Sequence, residues 1–196
     1  MKTIMRILII IVTSLFLIWI AITIWVQSEG EKSIQHFGST KAVKKALIVY
    51  DPDPFYNFDQ QICETFGRTL TSDNWYATVA TVKAAKEINI SSFDLYVFCA
   101  NTYNWEPDWS IEKFIIRNGS LYKKKVVAVT LGAGSTELSK HTLEVLIKSK
   151  GSILVDSKSF WLYKPNDEFR KNESNVKVAK ELVQKWVIEL NGSNKI

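Results

Sequence analysis

Cysteine is scarce: Cys63 and Cys99 are the only two in 196 residues. Two cysteines cannot build a disulfide scaffold. Cys63 falls in a helical pattern and Cys99 in a strand pattern, so both read as small buried hydrophobes. Histidine is equally rare. His36 and His141 have no second histidine or cysteine at ligand spacing, which argues against a metal centre. Neither sign of charge dominates, with 25 Lys and Arg against 20 Asp and Glu. No basic run alternates with aromatic residues, so nucleic acid is not an expected partner. Internal repeats and low-complexity tracts are missing too. The sharpest absence is local: from Ile7 to Val26 there is no charged residue at all.

That run, ILIIIVTSLFLIWIAITIWV, has only Thr13, Ser14 and Thr23 as hydroxyl residues. At about 1.5 Å per residue, a helix of this length spans roughly 30 Å, the thickness of a bilayer's hydrocarbon core. Lys2 and Arg6 flank it on one side, and Gln27, Ser28 and Glu29 on the other. Trp25 stands where an interfacial aromatic is expected. A secretory signal would have a shorter apolar run of about 7–15 residues and small residues before the cut. Val26-Gln27-Ser28 is a poor cut site, so the run reads as a retained single-pass anchor. A mature chain beginning near Glu29 is the alternative. The expected division is a short flank at 1–6, a transmembrane helix at 7–26, a polar tether at 27–44 and one domain at 45–191. The lipid bilayer is therefore an expected partner. Lys32, Lys41, Lys44 and Lys45 either rest on anionic headgroups or are merely a solvated, basic linker. Positive residues on the two sides of the run nearly tie, so the positive-inside rule decides little. Two unpaired cysteines tip the expectation toward a cytoplasmic domain.

Beyond the tether, short apolar runs alternate with amphipathic segments. Ala46–Tyr50, Trp75–Val82, Phe93–Ala100, Lys125–Leu131 and a run from Ser152 read as strands. Helical spacing follows, as in Phe58, Ile62, Phe66 and Leu70, with Asn57 and Gln60 offering a capping box. Such alternation predicts an α/β three-layer fold with a parallel five-stranded sheet. Doubly wound sheets bind ligands outside the C-terminal strand ends. Here those ends are the segments at 51–57, 101–109 and 132–137, which concentrate Gly, Pro, aromatic and polar residues.

Three segments carry a family resemblance. They are Ala46–Tyr50 with the helix from Asn57, the stretch Val97-Phe-Cys-Ala-Asn-Thr-Tyr-Asn-Trp-Glu-Pro107, and Val127-Ala-Val-Thr-Leu-Gly-Ala-Gly134. In order and spacing they resemble the flavodoxin family over about residues 45–190. The resemblance implies strand order 2-1-3-4-5, flavin mononucleotide (FMN) in the cleft, and one- or two-electron transfer, with a quinone or a membrane partner as acceptor. It places Tyr56 and Asn57 at the phosphate loop. Asn101, Thr102, Tyr103 and Trp105 fall on the first ring-contacting loop, with Tyr103 or Trp105 stacking, and Gly132, Ala133 and Gly134 on the second. It names no catalytic residue and leaves open whether the chain is an oxidoreductase or a carrier.

The first loop departs from the family's pattern. Asp51–Phe58 holds no Gly, Ser or Thr, and its Pro52 and Pro54 lack N–H donors. It also brings Asp51 and Asp53, with Asp59 just beyond. These aspartates are either oxygen ligands for a hard cation or, more commonly, turn and helix-cap residues. The alternative function is a flavin-free binding or scaffold domain that uses the same cleft.

Overall fold

The computed structural model describes residues 2–193 and 195–196; Met1, at the start of the expected flank, and Asn194 lie outside them. The first helix, α1, runs Lys2–Val26. Lys2 to Arg6, which precede the apolar run, are helical too, since nothing there breaks a helix. Its apolar window is wholly unburied.

Part of the stretch expected as a tether is a strand, β1 (Ile34–Phe37). Its inner residues are Gln35 and Phe37, and Phe37 packs onto the core beneath the Arg68 guanidinium. Four residues give too short a period-2 signal to stand out in a polar context. Gly38 ends it at φ 85, where an added Cβ would lie 2.4 Å from the Trp75 carbonyl oxygen. Glycine is required there on both counts.

The expected alternation then unfolds. In order come β2 (Lys44–Tyr50), α2 (Phe58–Leu70), β3 (Trp75–Thr81), a single turn α3 (Val82–Ala85) and β4 (Leu95–Tyr103). A two-residue strand β5 (Glu106–Pro107) and α4 (Trp109–Arg117) follow. The chain closes with β6 (Lys125–Gly132), α5 (Glu137–Ser149), β7 (Ile153–Trp161) and α6 (Asn175–Gly192). The sheet order is β1-β3-β2-β4-β6-β7. From β3 to β7 every pairing is parallel, which is the expected 2-1-3-4-5 order. Strand β1 adds an antiparallel edge.

Helices α2 and α6 cover one face, where Ile48, Val97, Val129, Phe66 and Trp186 form the core. Helices α3, α4 and α5 cover the other, over Leu47, Phe98, Ala128, Ile111 and Leu143. Such two-sided burial explains why the strands read as continuous apolar runs. Cys63 and Cys99 are free and buried, as small hydrophobes are.

The connections fix which way the sheet faces. Strand β1 descends antiparallel from the exit of α1, so β2 begins at the far edge, with Lys44 and Lys45. Tyr50 then returns to the edge that α1 touches. Seven residues at about 3.3 Å each place the two edges roughly 20 Å apart. Lys41, Lys44 and Lys45 consequently lie at the edge remote from α1.

Candidate ligand-binding cleft

The C-terminal edge of the parallel strands carries a cavity of about 390 Å³ between the strand-end loops and the last two turns of α1. Tyr56, Asn101, Thr102, Tyr103, Gly132 and Ala133 line it, as do Asp53, Phe58, Asp59, Leu162 and Tyr163. Trp19, Ile22, Thr23 and Val26 of α1 form the remaining wall. Asn57, Trp105 and Gly134 do not line it. Sequence reasoning could not supply the α1 wall, because it depends on packing between segments 30 to 140 residues apart.

The first loop satisfies itself. The Asp53 carboxylate accepts the backbone N–H of Phe55 at 2.8 Å and of Tyr56 at 3.0 Å through Oδ1. Its Oδ2 accepts the Tyr103 hydroxyl at 2.6 Å. Asp59 lies at the start of α2 and accepts Gln60 N–H through Oδ1 and Asp53 N–H through Oδ2, both at 2.7 Å. These two carboxylates take the N–H groups that a loop at a helix N-terminus would otherwise offer an anion. The expected capping box fails for the same reason. Asn57 makes no side-chain cap and accepts Gln61 Nε2 instead, while Gln60 turns to Glu64.

The second loop is a hairpin. Strand β5 pairs back on β4 through the two-residue turn Asn104-Trp105, both with positive φ of 51 and 65. This is the geometry of a type I′ turn, which normally prefers Asn-Gly. Trp105 is forced outward there and is 65% exposed. Tyr103 stays in the cavity wall. Asn101 spends its amide on the Asp51 carbonyl and Asp59 Oδ2, both at 3.0 Å. Below it, Asp108 caps α4, accepting Ile111 N–H at 2.9 Å and Asn101 N–H at 3.1 Å. The aspartates thus serve as turn and cap residues, and no cluster able to hold a metal ion is found among the described residues.

In the third loop, Gly132 is required by close approach. An added Cβ would stand 2.7 Å from Thr136 Cγ2 and 3.2 Å from Thr102 Cβ. The loop is braced by Leu162 N–H on the Gly132 carbonyl and Trp161 Nε1 on Thr136 Oγ1. Tyr163 donates its hydroxyl to Tyr56 across the mouth of the cleft.

Burial dominates the electrostatics. It pushes Asp59 up to about 6, against hydrogen bonds from Asn101 and the backbone that favour the charged form. Burial raises Asp51 as well, and Asp108 well above the usual carboxylate range. The Tyr103 phenol is raised first by burial and then by its bond to Asp53. No Lys or Arg lines the cavity.

The exit of α1 is tied to these same loops. Trp109 N–H donates to the buried Gln27 Oε1 at 2.9 Å, and Gly30 N–H to Asp51 Oδ1 at 3.0 Å. Trp25 meets Phe55 edge-on at 5.2 Å between ring centres. Asn104 Nδ2 reaches Thr23 Oγ1 at 3.4 Å.

No protein-family model matches the chain, and no curated protein matches its sequence. Solved structures are similar in fold. The solution structure of two-electron reduced Megasphaera elsdenii flavodoxin has a TM-score of 0.54 at 13% identity, over 71% of this chain and 98% of that one. Oxidised Flavodoxin 2 from Bacillus cereus gives 0.55 at 16% identity, over 72% and 95%. The flavodoxin, WrbA-like protein from Agrobacterium tumefaciens gives 0.54 at 14% identity, over 76% and 98%. At such identities the likeness is one of fold: the domain is flavodoxin-like, preceded by a helix long and apolar enough to cross a bilayer.

Proposed function

We propose that the chain is a membrane-anchored, flavodoxin-like binding domain whose cleft takes a flat, uncharged ligand without a phosphate group. One observation carries this reading: Asp53 occupies the Phe55 and Tyr56 N–H groups of the loop that leads into α2, and Asp59 takes those of Asp53 and of Gln60 in the first turn. FMN fits the cleft only by half. Tyr56, Tyr103 and the close backbone approach at Gly132 suit a planar ring. A phosphate at the first loop would face the Asp53 and Asp59 carboxylates, with no Lys or Arg in the lining. A carboxylate about 4 Å from a phosphate costs roughly 4 kcal/mol per charge pair at an effective dielectric of 20. Anchoring is supported by the unburied apolar length of α1, which would be costly to leave in water.

A second reading is favoured by the ring-sized cleft and the glycine-bearing third loop. In it the chain is an FMN-binding electron carrier that serves a quinone or a membrane partner. Bound flavin would then supply one- or two-electron transfer. Tyr56 and Tyr103 would flank the ring, and Gly132 and Ala133 would offer backbone at its edge.

Fluorescence titration of the full-length protein in detergent separates the two. Riboflavin carries the same ring without the phosphate. The expected result is quenching of riboflavin at concentrations where FMN is untouched. FMN bound as tightly as riboflavin would move the assignment to the electron carrier. No quenching of either would rule out a flavin-type ring and leave the cleft to a protein partner.

A further inference from the structure

We propose that the C-terminal edge of the sheet is itself a membrane-docking surface, so that the domain rests cleft-down on the leaflet from which α1 emerges. The proposal rests on reading α1 as an anchor and adds a second contact, made by the domain. Three observations carry it.

The edge is locked to the end of α1. Contacts from Gln27 to Trp109, Gly30 to Asp51 and Trp25 to Phe55 leave no free linker between helix and domain. If the last turn of α1 lies at the bilayer surface, the loops that touch it lie there too.

Exposed aromatic side chains also ring that exit. Phe55, Trp105 and Tyr163 project from the strand-end loops. Phe169 is 99% exposed on the segment joining β7 to α6, which belongs to the same edge. A tryptophan held at φ 65 on a two-residue turn is an uncommon conformation for a bulky residue. Its effect is to hold an indole away from the domain, next in the turn to Asn104, whose Nδ2 reaches Thr23 Oγ1. Aromatic rings with an apolar body settle at the membrane–water interface.

The third observation is charge. Most basic residues of this edge are already paired: Lys86 with Glu29, Lys164 with Glu137, Lys171 with Glu168, and Arg170 with Glu173 and Glu181, which leaves Lys83. Lys44 and Lys45 stand at the opposite edge. The surface thus presents exposed aromatics and no cluster of free cations, which suits the interfacial zone of a zwitterionic leaflet rather than an anionic headgroup layer. With Trp19 and Ile22 forming one wall of the cavity, a ligand would enter from the lipid side.

The test uses the full chain in phosphatidylcholine vesicles, with Leu15→Cys, Trp105→Cys, Phe169→Cys or Val43→Cys carrying an environment-sensitive fluorophore. All four positions are exposed, whereas Cys63 and Cys99 are buried. Labels at 15, 105 and 169 should be quenched by lipid-borne nitroxide, and the label at 43 only by aqueous iodide. Lipid quenching at 15 with iodide-only quenching at 105 and 169 would overturn docking and leave the anchor standing. Iodide quenching at 15 would overturn the anchor and docking together. Lipid quenching at 43 would show the opposite edge facing the membrane and also overturn the proposal.

Discussion

The two ends of the five parallel strands are built from opposite charges. At the C-terminal end, Asp51, Asp53, Asp59 and Asp108 accept backbone N–H groups of loops and helix starts. At the N-terminal end, Lys124 donates to the carbonyls of Ser91 and Phe93, and Lys150 to that of Ile116. Helix dipoles account for the sign. In a βαβ fold every helix starts at the first end and finishes at the second, so acids suit one and bases the other. They do not account for burial. The lysine ammoniums reach carbonyls from the surface, whereas Asp59 and Asp108 are each only 1% exposed. Evenly solvated ends would be ordinary fold electrostatics. One end with desolvated carboxylates under a cavity is what the proposed ligand site requires.

The largest expected effect comes from breaking the buried end. Asp108→Ala leaves Ile111 N–H and Asn101 N–H without partners. A lost cap and an unpaired buried donor each cost about 1–2 kcal/mol, so the variant should lose about 2–4 kcal/mol in a denaturant titration. Asp108→Asn keeps one acceptor oxygen and should recover roughly half of that.

Next in size is pH. Asp51, Asp59 and Asp108 all have folded-state values raised above their unfolded ones. The folded chain therefore holds more protons than the unfolded one. For Asp59, stability falls as pH rises from about 4 to about 6 and then levels off. Asp108 extends the fall to higher pH. Unfolding should need more denaturant at pH 5 than at pH 7, by about 1 kcal/mol from Asp59 alone, with Asp108 adding to it. Glu173, lowered to about 2 by its bonds to Arg170 and Lys177, acts oppositely but only below its ordinary range. A midpoint that rises between pH 5 and 7 would mean that the carboxylates are solvated like the lysines.

Asp53→Ser sharpens the comparison at one residue. It removes a charge from the cavity, frees Phe55 and Tyr56 N–H, and adds a hydroxyl donor. FMN affinity should rise by about tenfold, a gain of roughly 1.4 kcal/mol, while riboflavin affinity stays level. The same rise for both ligands would mean that the mutation loosened the cleft rather than removed a phosphate clash.

Much of this architecture is legible in the chain, for reasons that also mark where legibility ends. Strands buried on both faces read as apolar runs, so the five parallel strands follow from local pattern and connection rules, and their order from the resemblance. Because the fold fixes where ligands go, the three loops could be named as well. What pattern cannot show is who satisfies whom. Asp53 and Tyr103 are 50 residues apart, and only the folded loop brings carboxylate to phenol. Asn57 looks like a cap until Asp59 takes the Gln60 N–H it would serve. Trp105 looks like a stacking residue until a type I′ turn rotates it outward. Strand β1 is an edge element recruited by β3, and its four residues carry too little pattern to declare themselves.

The smallest expected effect is the one at the lysine end. If Lys41, Lys44 and Lys45 rested on headgroups, each would contribute about 1 kcal/mol on an anionic surface. Anionic lipid would then draw that edge down and lift the other. The fold instead carries these residues roughly 20 Å along the strands from the exit of α1. There Lys44 lies over the Trp75 ring at 4.9 Å, while Lys45 meets Asp94 through its backbone N–H, which any side chain would keep. Replacing all three by Gln should therefore cost about 0.5–1 kcal/mol of stability, chiefly the Lys44 cation–π contact. It should leave the membrane geometry alone. A fluorophore at position 169 should report the same depth in zwitterionic vesicles and in vesicles with roughly a third anionic lipid, with or without the three substitutions. A label that rises on adding anionic lipid, and does so only while the lysines are present, would reverse which end of the sheet meets the membrane.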